Sequence, residues 1–183
     1  HFHPSWSMWG GAKRRTLRDF YDSKIGKSTM ESADLITCVS NHEKEMLIKE
    51  IGLSENNIKI IYNGINWMDW KNIPDKKKFR DKYPEISERF VIFAGRLATN
   101  KGIPDLIEAM SMGKSHKFDL VVMGADMGLG KDLDKVASSK GVKMHRLGHV
   151  DDEIYRSALS ASELLVLPSE YEAFGIVLLE AAA

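Results

Sequence analysis

The sequence predicts an α/β protein built on doubly wound parallel sheets. From residue 90 onward, short apolar runs alternate with segments of helical length and pattern, and the same alternation occurs once between residues 30 and 65. Consecutive parallel strands in one sheet need a crossover, usually a helix, so this alternation is typical of such sheets. The length of 183 residues and a hydrophobic fraction of 43% exclude the disordered and low-complexity classes.

The predicted elements follow in chain order. In the first half, a strand over 34–39, a helix over 41–50 and a strand over 58–62 precede the turn Asn63-Gly64. In the second half, strands are predicted over 90–94, 118–123, 142–147 and 164–167, and each is followed by a helix, over 103–112, 132–140, 151–161 and from about 174. Pro104 suits the first turn of its helix, where a missing N–H costs nothing, and Asp151 or Asp152 suits an N-cap.

Two α/β domains are predicted, and residues 66–89 separate them. This stretch is polar and rich in lysine, and it contains Pro74 and Pro84, which is typical of a linker. The predicted boundaries are 1–66 for the C-terminal part of a first domain, 67–89 for the linker and 90–183 for a second domain. The chain begins without Met and stops inside a predicted helix, so we expect both domains to be incomplete parts of a longer protein.

Net charge and cysteine content indicate which partners and which cellular location to expect. Lys plus Arg and Asp plus Glu both total 26, whereas nucleic-acid binders normally have a basic excess. We therefore expect no nucleic-acid partner. The single Cys38 and the lack of a membrane-spanning run or signal sequence favour a cytoplasmic location. Residues 6–18, rich in Trp, Lys and Arg, fit contact with the cytoplasmic face of a membrane, or a partly buried loop followed by a solvated helix face.

The loop after the first strand of the second domain carries two cations. In an open parallel sheet, ligands bind beyond the carboxyl ends of the strands. Gly95 allows a tight turn there, and Arg96 and Lys101 flank the start of a helix. Free N–H groups and two cations at a helix N-terminus suit a diphosphate, although solvated loop cations are the alternative.

The loop after the fourth strand carries two carboxylates. Glu172 is predicted in the loop and Glu180 in the helix that begins near Phe174. Carboxylates accept hydrogen bonds from paired hydroxyls, such as those of a sugar or a ribose. The N–H groups around Phe174 and Gly175 would also suit a phosphate. The alternative is that both glutamates are ordinary surface charges.

These motifs together resemble the family 4 retaining glycosyltransferases. The resemblance rests on Gly95-Arg96-Leu97 with Lys101-Gly102, on Glu172-x7-Glu180 around Phe174-Gly175, and on residues 33–40, 60–65 and 147–150. It implies the GT-B fold of two Rossmann-like domains. It also implies transfer of a hexose from a nucleotide-diphosphate sugar to a hydroxyl group, without a metal cofactor. The acceptor would be a glycan, a lipid-linked molecule or a small molecule. A non-catalytic nucleotide-sugar-binding module, or another GT-B enzyme such as a sugar-nucleotide epimerase, is the alternative.

The resemblance also implies residue roles. Arg96 and Lys101 would hold the diphosphate and steady the leaving group, and Glu172 would bind the transferred sugar near its reacting carbon; these three are the expected catalytic residues. Glu180 would bind the ribose. The further donor-binding positions would be Gly95, Leu147, Gly148, Phe174 and Gly175, and His1 would lie on the acceptor side. The family commonly has Asp directly after the segment that matches Asn63-Gly64-Ile65, whereas this chain has Asn66 there. Because much of the acceptor domain is expected to be missing, the chain alone is expected to be inactive.

Overall fold

The computed structural model describes residues 25–72, 74–113 and 118–183. The chain divides into two compact units, His1–Asn63 and Gly64–Ala183. Within each unit, parallel strands alternate with helices. The structure therefore confirms the predicted α/β class.

The first unit has a two-stranded parallel sheet. Its elements are α1 (Lys27–Glu31), β1 (Ile36–Cys38), α2 (Asn41–Lys49), a 3₁₀ turn (Glu55–Asn57) and β2 (Ile58–Ile60). The Ser40 side chain accepts a hydrogen bond from the Glu43 N–H and so caps α2. A small apolar core, formed by Cys38, Leu47, Leu53 and Ile58, joins α2 to the sheet.

The second unit has a four-stranded parallel sheet. Its elements are α3 (Trp67–Trp70), α4 (Lys77–Lys82), β3 (Phe90–Ala94), a 3₁₀ turn (Thr99–Lys101), α5 (Ile103–Met112), β4 (Asp119–Met123), α6 (Gly130–Ser139), β5 (Met144–Gly148), α7 (Asp152–Ala161), β6 (Leu164–Leu165) and α8 (Ile176–Ala182). The strand order is β5-β4-β3-β6. Because β4 and β6 lie on opposite sides of β3, the strand order reverses between β3 and β6. A ligand crevice is expected at such a switch point.

Both faces of the second sheet are covered by apolar side chains. On one face, Phe93, Leu120 and Val122 pack with residues of α5 and α6. On the other face, Phe90, Ile92 and Val121 pack with residues of α4 and α7. Each fully buried large apolar side chain contributes about 1.5–3 kcal/mol. The sheet is thus a rigid support for the loops at its carboxyl edge.

The segment predicted as a linker contains structure of its own. Residues 67–89 include α3 and α4, and Phe79 and Ile86 are buried in the core of the second unit. The Ser157 hydroxyl accepts a hydrogen bond from the Phe79 N–H and donates one to the Asp75 carbonyl. The lysines that suggest a linker lie on the exposed side of this segment, so composition alone hides its buried residues. The three domain boundaries themselves stay a prediction.

Element ends differ from the sequence prediction where backbone geometry intervenes. β6 covers only Leu164–Leu165, and α8 begins at Ile176 rather than near Phe174. Gly175 has φ +76°, in the left-handed region, and precedes the first helical residue. Asp151 caps α7 as predicted, because its side chain accepts from the Ile154 N–H. Within the described ranges, no helix is both long and apolar enough to span a membrane.

Candidate functional site

Two loops meet at the switch point of the second sheet. The β3 loop (95–102) follows β3, and the β6 loop (166–175) follows the neighbouring β6. The Glu170 N–H donates to the Asn100 carbonyl at 3.1 Å and joins the two loops. Gly102 has φ +63°, and a Cβ placed on it would lie 2.0 Å from the Pro168 carbonyl oxygen. The loops approach this closely only because residue 102 has no side chain.

The structure brings two of the predicted catalytic residues into contact. Lys101 Nζ lies 2.7 Å from Glu172 Oε2, across the two loops. The Ser169 hydroxyl lies 3.3 Å from the same oxygen. The exposed fractions of the Lys101 and Glu172 side chains are 15% and 32%, so this ion pair is partly shielded from solvent. The pair fixes the position of the Glu172 carboxylate.

Arg96 has an exposed side chain on a backbone that hydrogen bonds hold on either side. Its side chain is exposed, and its guanidinium makes no hydrogen bond or ion pair with any residue that the structure describes. On either side of it, the Gly95 N–H donates to the Met123 carbonyl and the Leu97 N–H to the Ala125 carbonyl, both at 2.9 Å. The guanidinium is therefore available to an anion.

The β4 loop (124–130) is braced, and it supports the β3 loop. A Cβ on Gly124 would lie 2.0 Å from the Gly95 carbonyl oxygen, so the two loops touch. Asp126 Oδ1 accepts from the N–H groups of Gly128, Leu129 and Gly130 at 2.8, 2.9 and 3.0 Å. These hydrogen bonds, that of Gly130 foremost, and the nearby Arg146 lower the pKa of Asp126. The brace keeps the β4 loop in one conformation beside Arg96.

Arg146 extends this brace to the sheet. It projects from β5 and forms a bidentate pair with Asp134 of α6, at 2.7 and 2.6 Å, and its Nη1 lies 3.5 Å from Asp126. The hydrogen bonds that Arg146 donates to the Asp134 carboxylate raise the pKa of Arg146 above its ordinary value. Sequence reasoning missed this cluster because its members lie on three separate elements.

A cavity of about 220 Å³ opens at the carboxyl ends of β3, β4 and β5. Its lining residues are Ala94, Gly95, Met123, Gly124, Gly148, His149, Val150, Asp152, Tyr155, Val177 and Glu180. Three predicted donor-binding residues, Gly95, Gly148 and Glu180, thus share one cavity. Leu147 instead packs against the core, away from this lining.

Tyr155 is a cavity residue that sequence reasoning missed. Its hydroxyl donates to Glu180 Oε2 at 2.6 Å, which joins α7 to α8. Burial, together with the hydrogen bond to Glu180 and the charge of that carboxylate, raises the pKa of Tyr155 well above its ordinary value. The two residues are 25 positions apart, so no local spacing reveals the contact.

The remaining predicted residues have separate surroundings. Gly175 is buried, and a Cβ there would lie 3.3 Å from Cγ of Glu172, so the glycine packs beneath that side chain. Phe174 is partly buried just before it. His1 and residues 6–18 lie outside the described residues. The described ranges contain no group of three or more His, Cys, Asp or Glu placed to hold a metal ion, and metal independence stays a prediction.

Comparison with known proteins gives family matches over both halves of the chain. Residues 75–183 match the family described as glycosyl transferases group 1, and residues 1–67 match glycosyltransferase family 4. An uncharacterized glycosyltransferase of Methanocaldococcus jannaschii is 37% identical over 168 residues, covering 85% of this chain and 41% of that protein. A glycogen synthase of Mycobacterium tuberculosis is 32% identical over 160 residues, covering 84% and 36%. The chain spans about two fifths of the length of these curated relatives.

Solved structures with similar folds include a complex with a nucleotide and a glycosyltransferase. HepE of Anabaena, in complex with UDP and glucose, has a TM-score of 0.77 at 24% identity, covering 87% of this chain and 45% of that one. WaaG, a glycosyltransferase involved in lipopolysaccharide biosynthesis, has a TM-score of 0.77 at 23% identity, covering 97% and 50%. At these identities the likeness establishes the fold.

Proposed function

The chain belongs to the glycosyl transferases group 1 family and has the GT-B fold, as its motifs predict. From this premise we propose that the complete protein transfers a sugar from a nucleotide-diphosphate sugar to a hydroxyl acceptor, with retention of configuration at the reacting carbon. The observation that carries the proposal is the contact of Lys101 with Glu172 at 2.7 Å, on the two loops of the switch point.

Arg96 and Lys101 bind the diphosphate in this proposal. Departure of a nucleoside diphosphate develops negative charge on its oxygens, and fixed cations stabilise that charge without a metal ion. Arg96 supplies a guanidinium that has no partner among the described residues, and its planar fork suits a phosphate. The ten-residue helix α5 begins beside Lys101 with no side-chain cap, so its first N–H groups add to the same site.

Lys101 serves the diphosphate and Glu172 at once. An ammonium group has three N–H donors, and only one is needed for the contact with Glu172. Lys101 therefore holds the carboxylate in place while it donates to a phosphate oxygen. The second oxygen of Glu172 accepts from hydroxyls of the transferred sugar, close to the bond that breaks.

The cavity beneath the β3 loop receives the nucleoside. Glu180 lines it, and a carboxylate accepts two hydrogen bonds from a ribose diol. Gly148, at the end of β5, borders the base. The complex of HepE with UDP and glucose supports a nucleotide-sugar donor for this fold.

The finer features of the proposal rest on the family resemblance. The sugar is a hexose, and the acceptor is a glycan, a lipid-linked molecule or a small molecule. The protein acts in the cytoplasm, with peripheral contact between residues 6–18 and the membrane surface if its acceptor is lipid-linked. Transfer needs no divalent cation.

Turnover of the complete protein with candidate donors tests the proposal. Glu172→Gln and Arg96→Ala should each reduce the transfer rate by about 100-fold or more, the usual result of removing a group that acts on developing charge. Glu170→Gln is the matched control, because Glu170 is an exposed carboxylate of the same loop, and it should transfer at the wild-type rate. Wild-type turnover in both site variants would refute the assignment. A chelator should leave the wild-type rate unchanged.

A further inference from the structure

Glu180 has only one carboxylate oxygen engaged by the protein's described residues. The Tyr155 hydroxyl donates to Oε2 at 2.6 Å, a distance typical of a hydrogen bond between a hydroxyl and a charged carboxylate. Both side chains line the same cavity. A carboxylate held at one oxygen has a fixed plane, so the direction of the second oxygen is fixed as well.

The Tyr155 side chain is held in place by aromatic packing. The Trp70 ring lies edge-on to the Tyr155 ring, with 6.3 Å between centroids and 86° between planes. Trp70 is buried, with 9% of its surface exposed. An edge-to-face pair of this kind adds orientation to apolar contact. The phenol ring therefore has a defined position from which its hydroxyl reaches α8.

The two residues that follow Tyr155 fix helix α7 to the start of the second unit. Arg156 donates to the Asp69 carbonyl. Ser157, which is fully buried, bonds to both the Asp75 carbonyl and the Phe79 N–H, at 2.8 and 3.0 Å. Three consecutive residues of α7 thus contact residues 69–79. This anchoring makes the Tyr155 hydroxyl a rigid donor rather than a mobile one.

We propose that Tyr155 is a positioning residue for donor binding: it holds Glu180 so that the second carboxylate oxygen accepts hydrogen bonds from the ribose hydroxyls of the nucleotide. This inference rests on the proposed function. Tyr155 acts through Glu180 and does not itself contact the ribose. Burial and the neighbouring Glu180 carboxylate raise the pKa of Tyr155, which favours the protonated hydroxyl that donates to Glu180.

The effect expected from removing the hydroxyl is a loss of affinity. In Tyr155→Phe the ring still packs against Trp70, while Glu180 loses its fixed orientation. We expect nucleoside diphosphates to bind about tenfold more weakly, in the range of one hydrogen bond to a charged group. Tyr83→Phe is the matched control, because Tyr83 packs in the same unit outside the cavity lining, and its affinity should equal that of the wild type.

A double-mutant cycle on the complete protein tests the inference. The wild type, Tyr155→Phe, Glu180→Gln and the double variant are titrated calorimetrically with uridine, guanosine and adenosine diphosphates. If Tyr155 acts through Glu180, the double variant binds no more weakly than Glu180→Gln alone. Wild-type affinity in Tyr155→Phe, or penalties that multiply in the double variant, would overturn the inference while leaving the proposed function intact.

A second ligand separates positioning from general damage to the fold. With the 2′,3′-dideoxy form of the bound diphosphate, the penalty of Tyr155→Phe should vanish, because no ribose hydroxyl remains for Glu180 to bind. An equal penalty with both ligands would mean that the substitution only disturbs packing. Failure of the wild type to bind any of the three diphosphates would instead refute the proposed function, and this inference with it.

Discussion

Alanine at Gly102 separates the two loops of the switch point, and its effect can be worked out from the geometry. Gly102 has φ +63°, a region that costs an L-residue about 1–2 kcal/mol. The added Cβ would lie 2.0 Å from the Pro168 carbonyl oxygen, where ordinary contacts begin at 3.4 Å. Relief of this clash moves the loops apart by about 1 Å, and a misplacement of that size costs about 100-fold in rate.

The expected result is a loss of both stability and transfer. The free energy of unfolding should fall by roughly 3 kcal/mol in all. The left-handed backbone conformation alone accounts for about 1–2 kcal/mol, and the clash of the added Cβ accounts for the rest. The initial rate of transfer should fall by about 100-fold, because Lys101 and Glu172 lie on the loops that separate, 2.7 Å from each other.

Gly141→Ala is the matched control for this experiment. Gly141 has φ +68°, close to that of Gly102, but a Cβ there meets nothing within 4 Å. It should show the cost of the left-handed conformation, about 1 kcal/mol, and the wild-type transfer rate. Stability is read from urea denaturation and transfer from initial rates of the complete protein. Equal stability losses in the two variants, or a wild-type rate in Gly102→Ala, would refute the reasoning.

Three further predictions concern charged groups. Lys101→Met should weaken nucleoside-diphosphate binding by about tenfold and also mobilise Glu172, which a titration and a transfer assay measure separately. Asp126→Ala should lower the midpoint of urea denaturation, because the N–H groups of Gly128, Leu129 and Gly130, at and just before the start of α6, lose their acceptor; an unchanged midpoint would contradict this. Burial alone would raise the pKa of Asp119, but hydrogen bonds from Lys143, the Ser87 N–H and His145 outweigh it and lower the pKa. At neutral pH the free energy of unfolding of the wild type should thus exceed that of Asp119→Asn by about 2 kcal/mol. This difference should be lost as the pH falls below 3.8, the ordinary pKa of Asp. A difference that does not depend on pH would contradict the prediction.

The sequence predicts the elements of the second sheet well because their periodicity is strong. Helix α5 has the predicted ends, 103–112, because Gly102 and Gly113 bound it. Strand β3 has the predicted ends, 90–94, because an apolar run defines it. The helices within 67–89 were not predicted. Their buried side, which includes Phe79, is short, and lysines surround it in the sequence.

The candidate site divides in a similar way. The sequence predicts Arg96, Lys101, Glu172 and Glu180 as candidate site residues, because each follows the end of a strand or lies in the next helix, and their roles stay a prediction. The partners of these residues depend on packing between elements. The contact of Tyr155 with Glu180 and the brace of Asp126 with Arg146 join helices and strands that are distant in sequence, and no local pattern records them.

Asn66 shows why one departure from the family pattern matters little to the local structure. Its side chain accepts a hydrogen bond from the Met68 N–H and caps the short helix α3. Aspartate at an N-cap accepts the same bond. An Asn66→Asp exchange should thus preserve the local geometry.

Binding of a nucleotide-diphosphate sugar to the complete protein, with and without Arg96, tests the central claim most directly. Calorimetric titration in a chelating buffer with uridine, guanosine and adenosine diphosphate sugars should show that one of these classes binds to the wild type. Arg96→Ala should bind the same class at least about tenfold more weakly. Because the Arg96 side chain is exposed, its removal should leave the fold undisturbed. Equal affinity in the two proteins, or no binding by the folded wild type, would contradict the assignment of the donor site to these loops.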